Sequence, residues 1–220
     1  MTSDIVSWSQ LINTTMGEYV ASRMSNPSLT YHNFGHIQRL YAKAAEWNLP
    51  YDINLDCAIL WHDSVYDALP DKELRSAELV RETYFTMPHW FDDIDLPEVT
   101  SMILNTMSHN VMPEVNSLML KLDLAELGDS LRMKENFWSI LQESQNLYEI
   151  GVSDAAKGTL DFMTVFAIVM DKNHNDDFHS EQFIGDGDEY WTKVCDGVKI
   201  TSIMASTIIE LFAQGYAKLP

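Results

Sequence analysis

A chain of 220 residues and 25.2 kDa, 46% of it hydrophobic, can bury a substantial core without needing a structural metal or disulfide. Thirty-three acidic against fourteen basic side chains give a formal net charge of -19; no run of Lys or Arg offsets it, which counts against long nucleic acid as a partner. A small phosphorylated molecule stays allowed, because a bound divalent cation reverses the potential locally.

In chain order, helical apolar spacing predicts helices over about 4–25, 35–47, 54–66, 72–86, 96–109, 115–127, 130–148, 158–172 and 197–216, and no alternating strand pattern of any length occurs. Asn26-Pro27 ends the first helix and Asn48-Leu49-Pro50 the second; Asp52 or Asn54 caps the third, and Pro70 and Pro88 bracket the fourth. Residues 173–188, with Gly185-Asp186-Gly187-Asp188 among them, read as a long acidic loop on which His174 and His179 are exposed. The predicted fold is all-α, a compact helical bundle. With no repeat, low-complexity tract or linker, one domain over 1–220 is expected. Cys57 and Cys195 lie far apart, so no disulfide is expected and the compartment reads as a reducing cytoplasm. No signal-like N-terminus and no apolar run of about 18 residues occurs, so the expected protein is soluble, with no membrane partner.

The chemistry gathers on His36, then His62-Asp63, then Asp123, each in or beside a predicted helix. Imidazole and carboxylate together suit divalent ions from zinc, manganese, iron, cobalt and nickel to magnesium. Neighbours on a helix point about 100° apart, so His62 and Asp63 can share an ion only if it sits between their directions and other helices complete the shell. Asp63 follows the apolar run Ala58-Ile59-Leu60-Trp61, where an ionised carboxylate needs a cation. Asp123 sits among leucines and needs a partner too, either that ion or a salt bridge to Lys121 or Arg132.

Five blocks in order carry a family resemblance: Tyr31-His32-Asn33-Phe34-Gly35-His36, Ala58 to Asp67 around His62-Asp63, Glu73-Leu74-Arg75-Ser76-Ala77, Thr106-Met107-Ser108-His109 and Leu122 to Gly128. The chain resembles the HD superfamily, within it a bacterial group of metal-dependent phosphohydrolases, over roughly residues 30–150. Lys72-Glu73-Leu74-Arg75-Ser76 departs from that group's usual Asn-Glu-Glu-Arg-Ser, and residues 151–220 form an unmatched C-terminal helical segment. The resemblance implies an HD-like bundle in which His36, His62, Asp63 and Asp123 hold a divalent metal. It implies hydrolysis of a phosphate ester of a small molecule, a nucleotide in the first instance, with Asp63 or Glu73 acting on the attacking water.

His32, Lys72, Arg75 and Ser76 are the candidate substrate contacts; His32 could instead bond within its loop, and Arg75 could pair with Glu78 or Glu82. His109 and His89 are candidate ligands to a second metal, and His109 could equally be a histidine placed by the helix dipole. Tyr66 and Asp67 are expected to orient groups around the centre. Two alternatives stand beside hydrolysis: a di-iron oxygenase, needing both His89 and His109, and a non-catalytic module that binds a metal and a nucleotide.

Overall fold

The computed structural model describes residues 8–109, 117–129, 132–177 and 187–214, apart from the side chains of 174–177 and 187–188. The described residues are all-helical. The helices are α1 (Thr15–Arg23), α2 (Phe34–Glu46), α3 (Ile53–Trp61), α4 (Lys72–Thr86), α5 (Leu96–Ser108), α6 (Leu118–Leu124), α7 (Met133–Tyr148), α8 (Val152–Asp177) and α9 (Gly187–Ala213), with 3₁₀ turns at Pro88–Trp90 and Ala125–Gly128. Among them, none is long and apolar enough to cross a membrane. Both cysteines carry free thiols.

Two compact units emerge, one running to Asp123 and the other from Leu124 onward. In the first, α3 is the central helix. Residues Leu55 to Trp61 are all buried, as a helix that is apolar all round requires, and α1, α2, α4 and α5 each pack against it. Asp52 caps α3 by accepting from the Asn54 and Leu55 amides, so the cap falls to Asp52 and not to Asn54.

In the second unit α8 and α9 run antiparallel: Ala155 and Ala156 pack with Ala205 and Ile208, against Phe137 and Leu141 of α7. Gly197 lets α9 approach the backbone of the 3₁₀ turn so closely that any Cβ there would collide with the Leu127 carbonyl.

Several boundaries differ from those the periodicity predicts; α8, for one, begins at Val152 where a start near 158 is predicted. Of the first predicted helix, over 4–25, the described residues 8–14 are not helical and the helix starts at Thr15, because the Asp56 carboxylate accepts from the Gln10 and Leu11 amides at 2.8 and 3.1 Å and draws them out of helical bonding. The third helix ends at Trp61, short of His62-Asp63. The segment expected to be a loop over 173–188 is helical through Asp177 and again from Gly187. Its Asn173 is buried on α8, while His174's side chain and His179 lie outside the described residues.

Candidate metal centre

Three chain segments of the first unit converge. Asn33 caps α2 by accepting from the Gly35 amide at 2.9 Å, which starts the helix so that His36 falls on its buried face in the first turn. His62 is the residue after the last turn of α3, its amide still bonded to the Ala58 carbonyl and its backbone still right-handed helical at φ -56° and ψ -36°, and Asp63 follows it directly. Asp123 closes the first unit near the end of α6.

Four close approaches define the centre. His36 Nε2 lies 3.2 Å from Asp123 Oδ1 and 3.8 Å from Asp63 Oδ2. His62 Nε2 lies 3.0 Å from Asp63 Oδ2 and 3.7 Å from Asp123 Oδ1. With metal–ligand bonds of about 2.0–2.2 Å, neighbouring ligands in a tetrahedral or octahedral shell stand about 3.0–3.5 Å apart. The observed separations match such edges to within a few tenths of an ångström. Donor atoms of His36, His62 and Asp123 all lie within 4.8 Å of one another, and Asp63 approaches both imidazoles. Asp123 therefore meets the two histidines.

The state of His62 carries the argument further. Its Nδ1 lies 2.9 Å from the Ile59 carbonyl, and because a carbonyl only accepts, Nδ1 holds the hydrogen. In the neutral ring Nε2 is then a bare lone pair. It is buried, forms no hydrogen bond, and points toward two carboxylates. A lone pair facing carboxylate oxygens is repulsive unless a cation intervenes, either a second proton or a metal. An imidazole whose other nitrogen is pinned by a carbonyl is the usual form of a metal-ligating histidine.

The electrostatics agree. Burial pushes the His62 imidazolium down, but the Asp63 carboxylate, aided by Asp123, more than offsets it and leaves the ring raised above its ordinary value. Burial pushes the Asp63 carboxyl up, and His62, with His32 and His36 beyond it, overcomes this and holds it below the usual range. Burial likewise raises Asp123, while its hydrogen bond to His36 and the field of His62 bring it below ordinary values.

The pH dependence follows in sign. Without metal, the stability contributed by His62 is complete below its ordinary pKa of about 6.5 and is lost as pH rises through the raised value. That of Asp63 and Asp123 is present above about 3.8 and lost as pH falls through their lowered values. A metal must displace the His62 proton. Apparent manganese affinity, measured by calorimetry at stepped pH, is expected to weaken as pH falls through the raised His62 pKa, about tenfold per unit for one displaced proton.

Around the centre, half-buried His32 stacks on Tyr66, ring centroids 3.9 Å apart and planes 14° from parallel, and Lys72 Nζ stands 3.9 Å from the same Tyr66 centroid. Glu73 is half-buried on α4 and within the electrostatic reach of His109. His109 ends α5 in a left-handed conformation. Burial lowers its pKa against the opposing pull of Asp123, Glu73 and Asp63, so a largely neutral imidazole lies close to the centre but outside its group of gathered donor atoms.

Three expectations are corrected. Arg75 makes a two-pronged bond to Asp67 at 2.9 and 2.6 Å and also donates to the Pro70 and Leu69 carbonyls, so its fork braces the turn after the His-Asp pair, with four of its five N–H groups engaged there. Its partner is neither Glu78 nor Glu82. Ser76 is fully buried and accepts from the Val65 amide at 3.1 Å; it anchors the same turn and is closed to substrate. His89 is exposed on the turn Pro88–Trp90. It follows the C-terminal end of α4, whose 15 residues span about 22 Å, whereas Lys72 and Ser76 near the other end face the His-Asp segment, so His89 does not join the cluster.

Asp67 and Tyr66 carry more than the sequence disclosed. Opposite charges on Asp67 and Arg75 flanking Pro70 are the signal that points to the brace, while the aromatic platform of Tyr66 has no sequence signature. The buried Asp56, accepting from Ser9, Gln10, Leu11 and Tyr51, was also unforeseen; it holds the residues before α1 to α3.

No protein-family model, curated protein or solved structure matches this chain.

Proposed function

We propose that this chain is a metal-dependent phosphohydrolase of HD type, in which His36, His62, Asp63 and Asp123 hold one divalent ion and a phosphate ester of a small molecule, a nucleotide among the candidates, is cleaved by water. The single observation that carries the reading is the buried Nε2 of His62, its tautomer set by Ile59, facing two carboxylates. Bound there, a divalent ion supplies a Lewis acid for phosphoryl oxygens and lowers the pKa of water from 15.7 toward about 7.

The protein's own groups do the rest. The Ile59 carbonyl keeps His62 in the ligating tautomer. Asp63, held ionised well below neutrality, can accept a hydrogen bond from the attacking water and orient it. Glu73, half-buried at the start of α4, is the candidate base. The Asp67–Arg75 brace and the Ser76 anchor hold the turn that follows Asp63. The di-iron alternative needs His89 as a ligand, and the exposed position of that residue does not favour it. Two thiols free of any disulfide suit a reducing compartment such as the cytoplasm.

The test is a screen of phosphomonoesters, nucleotides and phosphodiesters with chelator-treated protein, with and without added Mn, Co or Ni. Turnover is expected only with metal and disappears with EDTA. Stoichiometric metal binding without turnover of any ester would favour the non-catalytic module.

A further inference from the structure

Two helices of the first unit run side by side with both pairs of ends matched. Where they begin, Asn54 of α3 donates to Glu98 of α5 at 2.6 Å and accepts from the Asp95 amide at 2.8 Å. Where they finish, His109, the residue after α5, lies in the field of Asp63 and Asp123. α3 and α5 are therefore parallel. Seven residues make two helical turns and return to the same face. Asn105, seven residues beyond Glu98, thus faces α3 and comes level with Trp61, which is seven beyond Asn54 and directly precedes His62-Asp63. The other side of α5 meets α4, where Arg81 donates to Thr100.

Asn105 is 2% exposed, and among the described residues neither its amide nitrogen nor its amide oxygen takes part in a hydrogen bond. Packing does not offset the desolvation of two such groups, because a leucine fills the same space. Two more buried side-chain donors at the end of α3 are in the same state: the Trp61 indole N–H and the Ser64 hydroxyl, which flank His62-Asp63 in sequence. The amide itself narrows the choice of partner. A cation satisfies only its oxygen and an anion only its nitrogen, whereas water, which donates and accepts, satisfies both. Water also supplies the acceptor that the Trp61 N–H lacks.

Resting on the phosphohydrolase reading, we propose that Asn105 is a positioning residue of the reaction, whose amide holds water on the α5 side of the His62-Asp63 pair and aims its oxygen at the phosphorus. In that step the water oxygen bonds to phosphorus as the ester P–O bond breaks. One water proton passes to the candidate base Glu73 and returns to the departing alcohol oxygen, and the phosphate keeps the other.

Asn105→Leu and Asn105→Ser are compared with wild type. In chelator-treated protein, Asn105→Leu is expected to melt no more than about 3 °C below wild type, because an apolar side chain of similar size leaves no group wanting a partner. Its manganese affinity by calorimetry stays within about threefold of wild type, since none of the four ligands changes. With manganese bound, kcat for para-nitrophenyl phosphate, or for the best ester of the screen, falls about 10- to 100-fold as the nucleophile loses its orientation, while KM moves by less than about threefold. Asn105→Ser, whose hydroxyl both donates and accepts, recovers part of kcat. A larger fall in the melting midpoint of Asn105→Leu would show that the amide serves the fold, and an unchanged kcat would show that it holds nothing the reaction uses; either result overturns this assignment alone. A wild-type protein that binds manganese yet turns over no ester overturns the hydrolase reading, and this assignment with it.

Discussion

Asp63→Asn is expected to abolish the stabilisation that manganese gives the wild-type protein. An ion present at 100 times its dissociation constant adds about 2.7 kcal/mol to the folded state, which in a protein of this size raises the thermal midpoint by roughly 5–11 °C. Asparagine keeps the volume of Asp63 but removes the charge, and the site keeps only Asp123 to balance a divalent ion. The loss in metal affinity should exceed the about 10- to 100-fold that removal of an outer partner costs, and hydrolysis should fall with it. His62 responds in the metal-free protein too. The Asp63 carboxylate is what raises its pKa against burial, so in Asp63→Asn the His62 resonance followed by NMR should titrate lower than in wild type. A variant that keeps both the manganese shift and the His62 titration would show that Asp63 is no part of the centre.

Asp56→Ala is expected to produce the largest loss of stability outside that centre. Asp56 is fully buried and accepts from the Ser9 hydroxyl at 2.6 Å, the Gln10 and Leu11 amides and the Tyr51 hydroxyl at 3.2 Å. Alanine leaves the buried donors of Ser9 and Leu11 without an acceptor and a void beside them. Each stranded buried donor costs about 1–3 kcal/mol, so the total is about 3–5 kcal/mol and the midpoint falls by roughly 10 °C. Asparagine does not rescue it, because the amide nitrogen would face donors. The freed segment before Thr14 should become a site of proteolysis, and a midpoint within about 2 °C of wild type would contradict the role given to Asp56.

These two aspartates mark what the sequence discloses and what it withholds. Asp63 is legible because a carboxylate next to a histidine, after Ala58 to Trp61 and between His36 and Asp123, has a chemical need that periodicity alone cannot meet. Asp56 lies just before the same apolar run, yet Ser9, Gln10 and Leu11, which it captures, are 45–47 residues away in sequence, and no local pattern encodes such a capture. The same limit accounts for the errors in helix ends. Residues 9–14 have helical apolar spacing, but Asp56 takes the Gln10 and Leu11 amides; α2 and α5 follow their periodicity closely because their apolar faces settle on one neighbouring core.

Around the centre, residue types were legible and their commitments were not. Arg75 suits a phosphate as well as a carboxylate, and only the turn at Pro70 brings Asp67 to it. A serine beside a motif reads as a ligand contact until its burial and the Val65 amide are seen. His89 carries the right chemistry at the wrong end of α4.

The most direct test of the metal centre is calorimetric titration of chelator-treated wild-type protein with manganese at pH 7.5, beside His62→Gln. One ion per chain, bound with proton release and lost in His62→Gln, is the predicted result; a wild-type protein that takes up no manganese, cobalt, nickel or zinc would contradict the account.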